Sequence, residues 1–170
     1  MGVVSDVTLE VVEGDITHQP VDAIVNDANH HLAPGGGVCG AIFAAAGPAL
    51  RDACAALGGA ETGDAKATPG FQLPAHWVIH AVGPVWHGGD LGEAALLASC
   101  YRRSLAVADE LSASSVAFPA ISTGNFGYPL EPATQIAIAT VRAASTEVQL
   151  VRFVCFDRAT RAAYDHAMGY

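Results

Sequence analysis

Hydrophobic residues along the chain fall into short, mostly β-branched runs that alternate with longer amphipathic segments. The short runs predict strands over Val7–Val12, Val21–Val25, Asp64–Thr68, Trp77–Val82, Ser115–Ile121 and Leu150–Phe156. The longer segments predict helices over Ala41–Leu57 (broken at Gly47-Pro48), Leu91–Leu111, Glu131–Ala144 and Ala159–Met168. This alternation predicts one α/β domain over residues 1–170, with a largely parallel sheet covered by helices on both faces.

Charge narrows the classes of partner. Acidic residues outnumber basic ones by 17 to 8, the formal net charge is -9, and Lys66 is the only lysine. Sequence-independent binding to nucleic acid needs clustered Lys and Arg, so we expect no direct nucleic-acid partner.

The segment 1–6 lacks the features of a signal peptide, and no apolar run is long enough to span a bilayer. The four scattered cysteines form no C-x-x-C pair, which favours a reducing cytoplasm and disfavours a structural metal site.

Candidate chemistry lies where predicted strands end, because ligands of such sheets bind beyond the carboxyl ends of the strands. Three segments qualify: Asp15-Ile16, the loop 26–40, and the loop 122–128. Both long loops are rich in glycine and precede a predicted helix. Backbone without Cβ atoms at a helix N-terminus brings N–H groups close to an anion, so these loops predict a ligand that carries phosphate.

Two familiar phosphate-binding motifs do not fit. Gly35-x-Gly37-x-x-Gly40 matches the dinucleotide fingerprint formally, but a long loop separates it from its strand and no acidic residue clearly ends the next strand. This disfavours a nicotinamide-dependent oxidoreductase. A P-loop is excluded because no Gly-Lys-Ser/Thr follows the glycines.

Several strand-end residues admit two interpretations. Asp15 is either a turn residue or a carboxylate that accepts a hydrogen bond from an adenine amino group. Asn26 and Asn29 either cap turns or orient a ribose or a water molecule. Phe156 either belongs to the core or packs against a base. His80, inside a predicted strand, is expected to be a core histidine with hydrogen-bond partners.

A longer series of motifs resembles one family, the macrodomains, and most closely the MacroD-type ADP-ribosyl hydrolases. The resemblance covers nearly the whole chain. It is carried by Gly14-Asp15-Ile16-Thr17, the stretch 21–29, Gly35-Gly36-Gly37-Val38, Val78-Ile79-His80-Ala81-Val82-Gly83-Pro84, Ala117-Phe118-Pro119-Ala120-Ile121-Ser122-Thr123-Gly124, Gly127-Tyr128-Pro129 and Phe153-Val154-Cys155-Phe156-Asp157.

The resemblance implies a three-layer α/β/α sandwich around a mixed, mainly parallel sheet, with ADP-ribose bound in a cleft and no cofactor or metal. It implies that Asp15 and Ile16 bind the adenine and that Phe156 packs on it. Asn29 would hold the distal ribose near the bond to be cleaved. The diphosphate and distal ribose would be enclosed by Gly36, Gly37, Val38, Ser122, Thr123, Gly124, Asn125 and Phe126.

The chain departs from the family pattern at three positions. An aspartate that orients or activates the attacking water is replaced by Cys39, and Asp27 and Pro34 replace a small residue and a glycine. A thiol is a weaker hydrogen-bond partner than a carboxylate. Cys39 lies near a predicted helix N-terminus, which lowers a thiol pKa, but no partner base is evident, so a packing role is expected over a nucleophilic one.

Two functions therefore stay open. The first is hydrolysis of ADP-ribose from acidic side chains of proteins, with deacetylation of O-acetyl-ADP-ribose as a second activity, carried out by Asn29 and Cys39. The second is an ADP-ribose reader with little or no catalysis, favoured by Cys39. Either function implies ADP-ribose and ADP-ribosylated proteins as partners, with no membrane partner.

Overall fold

Six strands form one mixed sheet between two layers of helices in the computed structural model, which describes residues 7–170. The strands are β1 (Thr8–Glu13), β2 (Ala23–Ala28), β3 (Ala65–Pro69), β4 (Trp77–Val82), β5 (Ser115–Phe118) and β6 (Leu150–Cys155). Their spatial order is β1-β6-β5-β2-β4-β3, and only the edge strand β3 runs antiparallel to its neighbour. The predicted mixed, mainly parallel sheet is confirmed.

Five helices cover the two faces. The helices α1 (Gly37–Ala46) and α2 (Ala49–Ala56) lie on one face, and α3 (Glu93–Glu110), α4 (Leu130–Ala143) and α5 (Arg158–Met168) lie on the other. Each layer buries its own apolar cluster against the sheet. This arrangement confirms the three-layer sandwich. One domain was predicted over residues 1–170. Residues 1–6, to which the signal-peptide prediction also refers, lie outside the part of the chain that the structure describes.

The strand β2 extends further than its sequence predicts. Instead of ending at Val25 it continues to Ala28, because Asn26, Asp27 and Ala28 pair in register with the last three residues of β4. Asn26 and Asp27 therefore belong to a central strand and not to the loop after it. Successive side chains of a strand point to opposite faces, so the two polar residues serve different sides of the sheet.

Other boundaries differ for local reasons. The helix α1 begins at Gly37 and not at Ala41, so the glycine motif forms its first turn. The strand β5 ends at Phe118 and not at Ile121, because Pro119 follows and has no N–H to donate. A 3-10 turn over Ile16–His18 was not predicted from the sequence. The Asp15 carboxylate caps this turn by accepting a hydrogen bond from the N–H of Thr17 at 2.9 Å.

The described part of the chain contains no single helix that is long and apolar enough to cross a membrane. The α1–α2 pair has the length and composition of a broken span, with 115° between its two helices. Both helices bury apolar side chains against the sheet, among them Ile42, Phe43 and Leu50.

A buried carboxylate organises the loop between β4 and α3. Glu93 is 1% exposed and accepts hydrogen bonds from the N–H groups of His87, Gly89 and Leu91 at 2.7–3.0 Å. The hydrogen bond from His87 is the main cause that lowers the pKa of Glu93 to about 2. The same loop supports the loop 122–128, because the N–H of Trp86 donates to the Phe126 carbonyl at 2.8 Å.

We expect Glu93→Gln to lower the midpoint of thermal unfolding by several degrees at pH 7, because an amide offers one acceptor oxygen where the carboxylate offers two. The pKa of Glu93 is lowered on folding, so its charge stabilises the protein above about pH 4.5 and this gain is lost as pH falls towards 2. The difference between variant and wild type should therefore shrink below pH 4.5. Glu110→Gln, at the exposed end of the same helix, is the control; an equal effect from it would contradict the prediction.

Candidate functional site

A cavity of about 510 Å³ opens where β2, β5 and β6 end. Four segments line it: the end of β2, the first turn of α1 with the glycines before it, the loop after β5, and the end of β6 with the start of α5. The lining residues are Asp27, Ala28, Asn29, Gly35, Gly36, Gly37, Val38, Cys39, Ala41, Pro119, Ala120, Thr123, Gly124, Asn125, Phe126, Val154, Phe156, Asp157 and Thr160.

One wall is the N-terminus of α1. Gly36 precedes the helix in extended conformation, and no side chain caps the first N–H groups of the helix. Such groups carry partial positive charge and attract anions. Close packing holds this turn in place: a Cβ on Gly40 would lie 2.5 Å from the Gly35 carbonyl oxygen, so the chain doubles back there only because residue 40 is glycine.

The opposite wall is the loop after β5. Within residues 7–170, the N–H groups of Gly124, Asn125 and Phe126 donate to no protein acceptor. The loop is closed at its base by a 2.9 Å hydrogen bond from the N–H of Tyr128 to the Ser122 carbonyl. The two walls thus present backbone donors from two sides, as an anionic ligand requires.

At two positions of these walls, neither the backbone conformation nor the packing of the protein requires a glycine. A Cβ added at Gly36 or Gly124 would meet no atom within 4 Å, and neither residue has a positive φ. Every other glycine in the described part has a positive φ or would bring its Cβ within 4 Å of a neighbour. Both exceptions line the cavity, so the space they leave open is available to a ligand.

Ser122 holds the base of the second wall in a strained conformation. Its φ is +67°, in the left-handed region that residues other than glycine rarely adopt. The residue is fully buried, and its Oγ has no hydrogen-bond partner among the described residues. Gly83 makes this placement possible, because a Cβ there would lie 2.2 Å from Ser122 Oγ.

Asn29 and Cys39, the two predicted catalytic residues, both line the cavity. The Asn29 amide donates to the Ala33 carbonyl at 2.8 Å and accepts from the Ala33 N–H at 3.1 Å, which fixes the start of the loop. The Cys39 thiol donates to the same carbonyl and accepts from Asn26 Nδ2, both at 3.7 Å. Burial raises the pKa of Cys39, so the thiol stays neutral and does not serve as a base.

A buried polar network continues behind Cys39. Asn26 Nδ2 lies 3.0 Å from His80 Nδ1, and His80 Nε2 lies 3.0 Å from Thr68 Oγ1. Burial lowers the pKa of His80 to about 4, which keeps the imidazole neutral. The prediction that His80 is a core histidine with hydrogen-bond partners is confirmed.

The predicted adenine end lies beside the cavity. Phe156 lines it and is 83% exposed, which is rare for a large apolar side chain in a folded domain. The N–H of Gly14 donates to the Cys155 carbonyl at 2.9 Å, which brings Asp15 and Phe156 to adjacent strand ends. Asp15, Ile16 and Ser122 do not themselves line the cavity, and their ligand roles stay predictions.

Asp27 is the charged residue that the sequence left without a role. It lines the cavity, and its carboxylate accepts from the Ser122 N–H at 3.3 and 3.5 Å. Burial raises the pKa of Asp27 to about 7, and the long hydrogen bond from Ser122 offsets this only in part. Ionised Asp27 is therefore a poorly solvated carboxylate at the edge of the cavity.

The structure thus brings together most of the predicted site: Asn29, Gly36, Gly37, Val38, Cys39, Thr123, Gly124, Asn125, Phe126 and Phe156 line one cavity. Asp157 and Thr160 also line the cavity and were not predicted from the sequence. Asp157 directly follows Phe156 and caps α5 by accepting from the Thr160 N–H at 2.8 Å, a spacing that marks a helix start in sequence. Within residues 7–170, no three His, Cys, Asp or Glu side chains are grouped to hold a metal ion.

Fold and cavity together define an α/β/α sandwich with a strand-end cleft suited to an anionic ligand. Comparison with known proteins assigns its family: the profile described as Macro domain matches residues 25–137. A macro domain-containing protein of Chlorobaculum tepidum is 54% identical over 166 residues, which is 96% of each chain. The chain belongs to the macrodomain family.

Two further relatives carry more informative names. A Salmonella newport protein named O-acetyl-ADP-ribose deacetylase is 51% identical over 163 residues, covering 92% of this chain and 91% of its own length. A solved structure of a mutant Oceanobacillus iheyensis macrodomain with ADPR has a TM-score of 0.93 and 40% identity. That match covers 99% of this chain and 96% of the other.

We expect Asp27→Asn to stabilise the protein at pH 8 by about 2 kcal/mol, because the amide keeps an acceptor for Ser122 without a desolvated charge. The pKa of Asp27 rises from 3.8 to about 7 on folding. Asp27 therefore does not destabilise the folded protein below pH 3.8, and the free energy of unfolding falls as pH rises from there through 7. The gain of the variant should vanish near pH 4. Urea unfolding at pH 4, 6 and 8 measures it, and a gain that does not depend on pH would contradict the prediction.

Proposed function

We propose that this protein binds ADP-ribose in the cavity and hydrolyses the ester bond that joins ADP-ribose to acidic side chains of proteins. The same site would deacetylate O-acetyl-ADP-ribose, whose acetyl ester presents similar chemistry. ADP-ribosylated proteins are then the partners, no cofactor or metal takes part, and the proposed location is the cytoplasm.

The two glycines Gly36 and Gly124 carry the binding proposal, because they leave both walls open where the protein itself needs no space. The unpaired N–H groups around them suit a diphosphate. The formal charge of -9 makes this local arrangement necessary, since the overall field opposes an anionic ligand. The ADPR-bound Oceanobacillus iheyensis macrodomain supports the ligand, and the Salmonella newport deacetylase supports the proposed activity on O-acetyl-ADP-ribose.

The orientation of the ligand follows from the ends of the cavity. Phe156 offers an exposed aromatic face to the adenine, beside Asp15 and Ile16. The distal ribose then lies towards Asn29 and Cys39, with the diphosphate between the two glycine walls. Rigid positioning of the ester and of an attacking water accounts for much of the expected rate.

The second candidate is a reader that binds ADP-ribose and does not cleave it. One observation favours it: the neutral Cys39 thiol replaces the carboxylate that the family resemblance implies at this position. Binding measurements do not separate reader from hydrolase. A turnover assay does.

We expect Gly124→Leu to raise the Kd for ADP-ribose at least about 10-fold, because the new side chain occupies space that the ligand needs. The midpoint of thermal unfolding should stay unchanged, since a Cβ at position 124 meets no protein atom within 4 Å. Isothermal titration calorimetry measures the affinity, and Ala56→Leu, an enlargement at an exposed position of α2 outside the cavity, is the control. Unchanged affinity in Gly124→Leu would place the ligand elsewhere.

We expect the wild type to release ADP-ribose from a glutamate-linked ADP-ribosylated protein, and Asn29→Ala to lower this turnover by about 10²-fold. Loss of the amide frees the loop at Ala33 and removes a polar group from the cavity wall. Release is followed by chromatography, with O-acetyl-ADP-ribose as a second substrate. Wild-type protein that binds ADP-ribose yet releases no product from either substrate above buffer is a reader, and hydrolysis is then excluded.

A further inference from the structure

We infer that Asp27 is the general base of this site, the group that takes a proton from the attacking water in place of a side chain at position 39. The inference rests on the proposed hydrolysis and assigns its proton acceptor to a residue at the end of β2.

The position of Asp27 in the cavity suits a general base. Asp27 and Asp157 are the two carboxylates that line the cavity. Asp157 lies next to Phe156 at the β6 end and is engaged in capping α5, which lowers its pKa and makes it a poor proton acceptor. Asp27 lies two residues before Asn29, at the end where the distal ribose and the ester are expected.

The Asp27 carboxylate can accept a further hydrogen bond. Among the described residues, no cationic side chain pairs with Asp27, and the backbone N–H of Ser122 is the only hydrogen-bond donor to its carboxylate. That contact is long, at 3.3 Å to one oxygen and 3.5 Å to the other. Lone pairs of the carboxylate therefore remain for a water molecule from the cavity.

The titratable groups around Asp27 carry no compensating charge. The titratable groups that interact electrostatically with Asp27 are Cys39 on α1, Cys100 and Tyr101 on α3, and Tyr164 on α5. Burial raises the pKa of each of these groups, so all are neutral at pH 7 and none neutralises the carboxylate. The pKa of Asp27, raised to about 7, lies where a general base works best at neutral pH.

The reaction step balances without a further reactant. The oxygen of water forms a bond to the anomeric carbon of the distal ribose, and the bond from that carbon to the carboxyl oxygen of the modified side chain breaks. The side-chain carboxylate leaves with the electron pair. One proton of the water passes to Asp27 and then to solvent, and ADP-ribose leaves with a hydroxyl on that carbon.

The test compares wild type, Asp27→Asn and the control Asp52→Asn, the same change on the exposed face of α2. We expect Asp27→Asn to lower kcat on the glutamate-linked substrate by about 10²-fold or more at pH 7.5, with ADP-ribose affinity equal to or tighter than wild type. The wild-type plot of log kcat against pH should rise with slope one to a plateau near pH 7, and this limb should be absent in Asp27→Asn.

Other results would contradict the assignment of Asp27 as the general base. A wild-type rate that does not change between pH 5.5 and 8, or an Asp27→Asn variant that keeps its kcat within about threefold of wild type, overturns the assignment of the base and leaves hydrolysis intact. Parallel loss of kcat and ADP-ribose affinity also overturns it, because that pattern marks a binding or structural role. An inactive wild type overturns the proposed function itself, and the base assignment with it.

Discussion

The pairing of β2 with β4 as far as Ala28 is the constraint on which the site depends. Three residue pairs beyond Val25 keep Asn26, Asp27 and Ala28 in the strand. The pleat then sends the side chains of Asn26 and Asp27 to opposite faces. Asn26 joins the buried network of Cys39 and His80 under α1, whereas Asp27 meets Ser122 on the side of α3 and α5. One strand end therefore sets the polar chemistry of both faces of the sheet.

The walls of the cavity owe their geometry to contacts outside it. Glu93 holds the loop that bears Trp86, and Trp86 in turn donates to Phe126 and packs against Tyr128 at a ring distance of 4.6 Å. Tyr101 contributes from the core, since its hydroxyl accepts from the N–H of Ile121 at 3.4 Å. These contacts use neutral groups or a fully hydrogen-bonded carboxylate, so the N–H groups of the wall remain the available donors. A preorganised wall of this kind binds an anion without a lysine or arginine in the cavity lining.

The sequence predicted the layers of the fold and most of the cavity lining, because hydrophobic period and glycine-rich strand ends are local signals. It placed the end of β2 wrongly, since polar residues such as Asn26 and Asp27 ordinarily end a strand and only the partner strand reveals that they continue it. The sequence also did not predict the uncapped N–H groups or the open space at Gly36 and Gly124. They depend on which atoms are absent around a residue, and a sequence does not record that. Phe156 was undecided in sequence, and its 83% exposure favours a ligand-facing residue over a core one.

The departures from the family pattern at Cys39 and Asp27 are best understood as one linked change and not as two independent ones. A carboxylate at position 39 would share the cavity with Asp27, and two like charges in a poorly solvated site raise the pKa of at least one of them. Burial is the main cause of the raised pKa of the Cys39 thiol, and the charge of Asp27 adds to it. A neutral thiol at position 39 lets a single carboxylate at position 27 be charged near neutral pH. In the proposed mechanism, the substitution that removes the carboxylate from position 39 is thus also what allows Asp27 to act as the base.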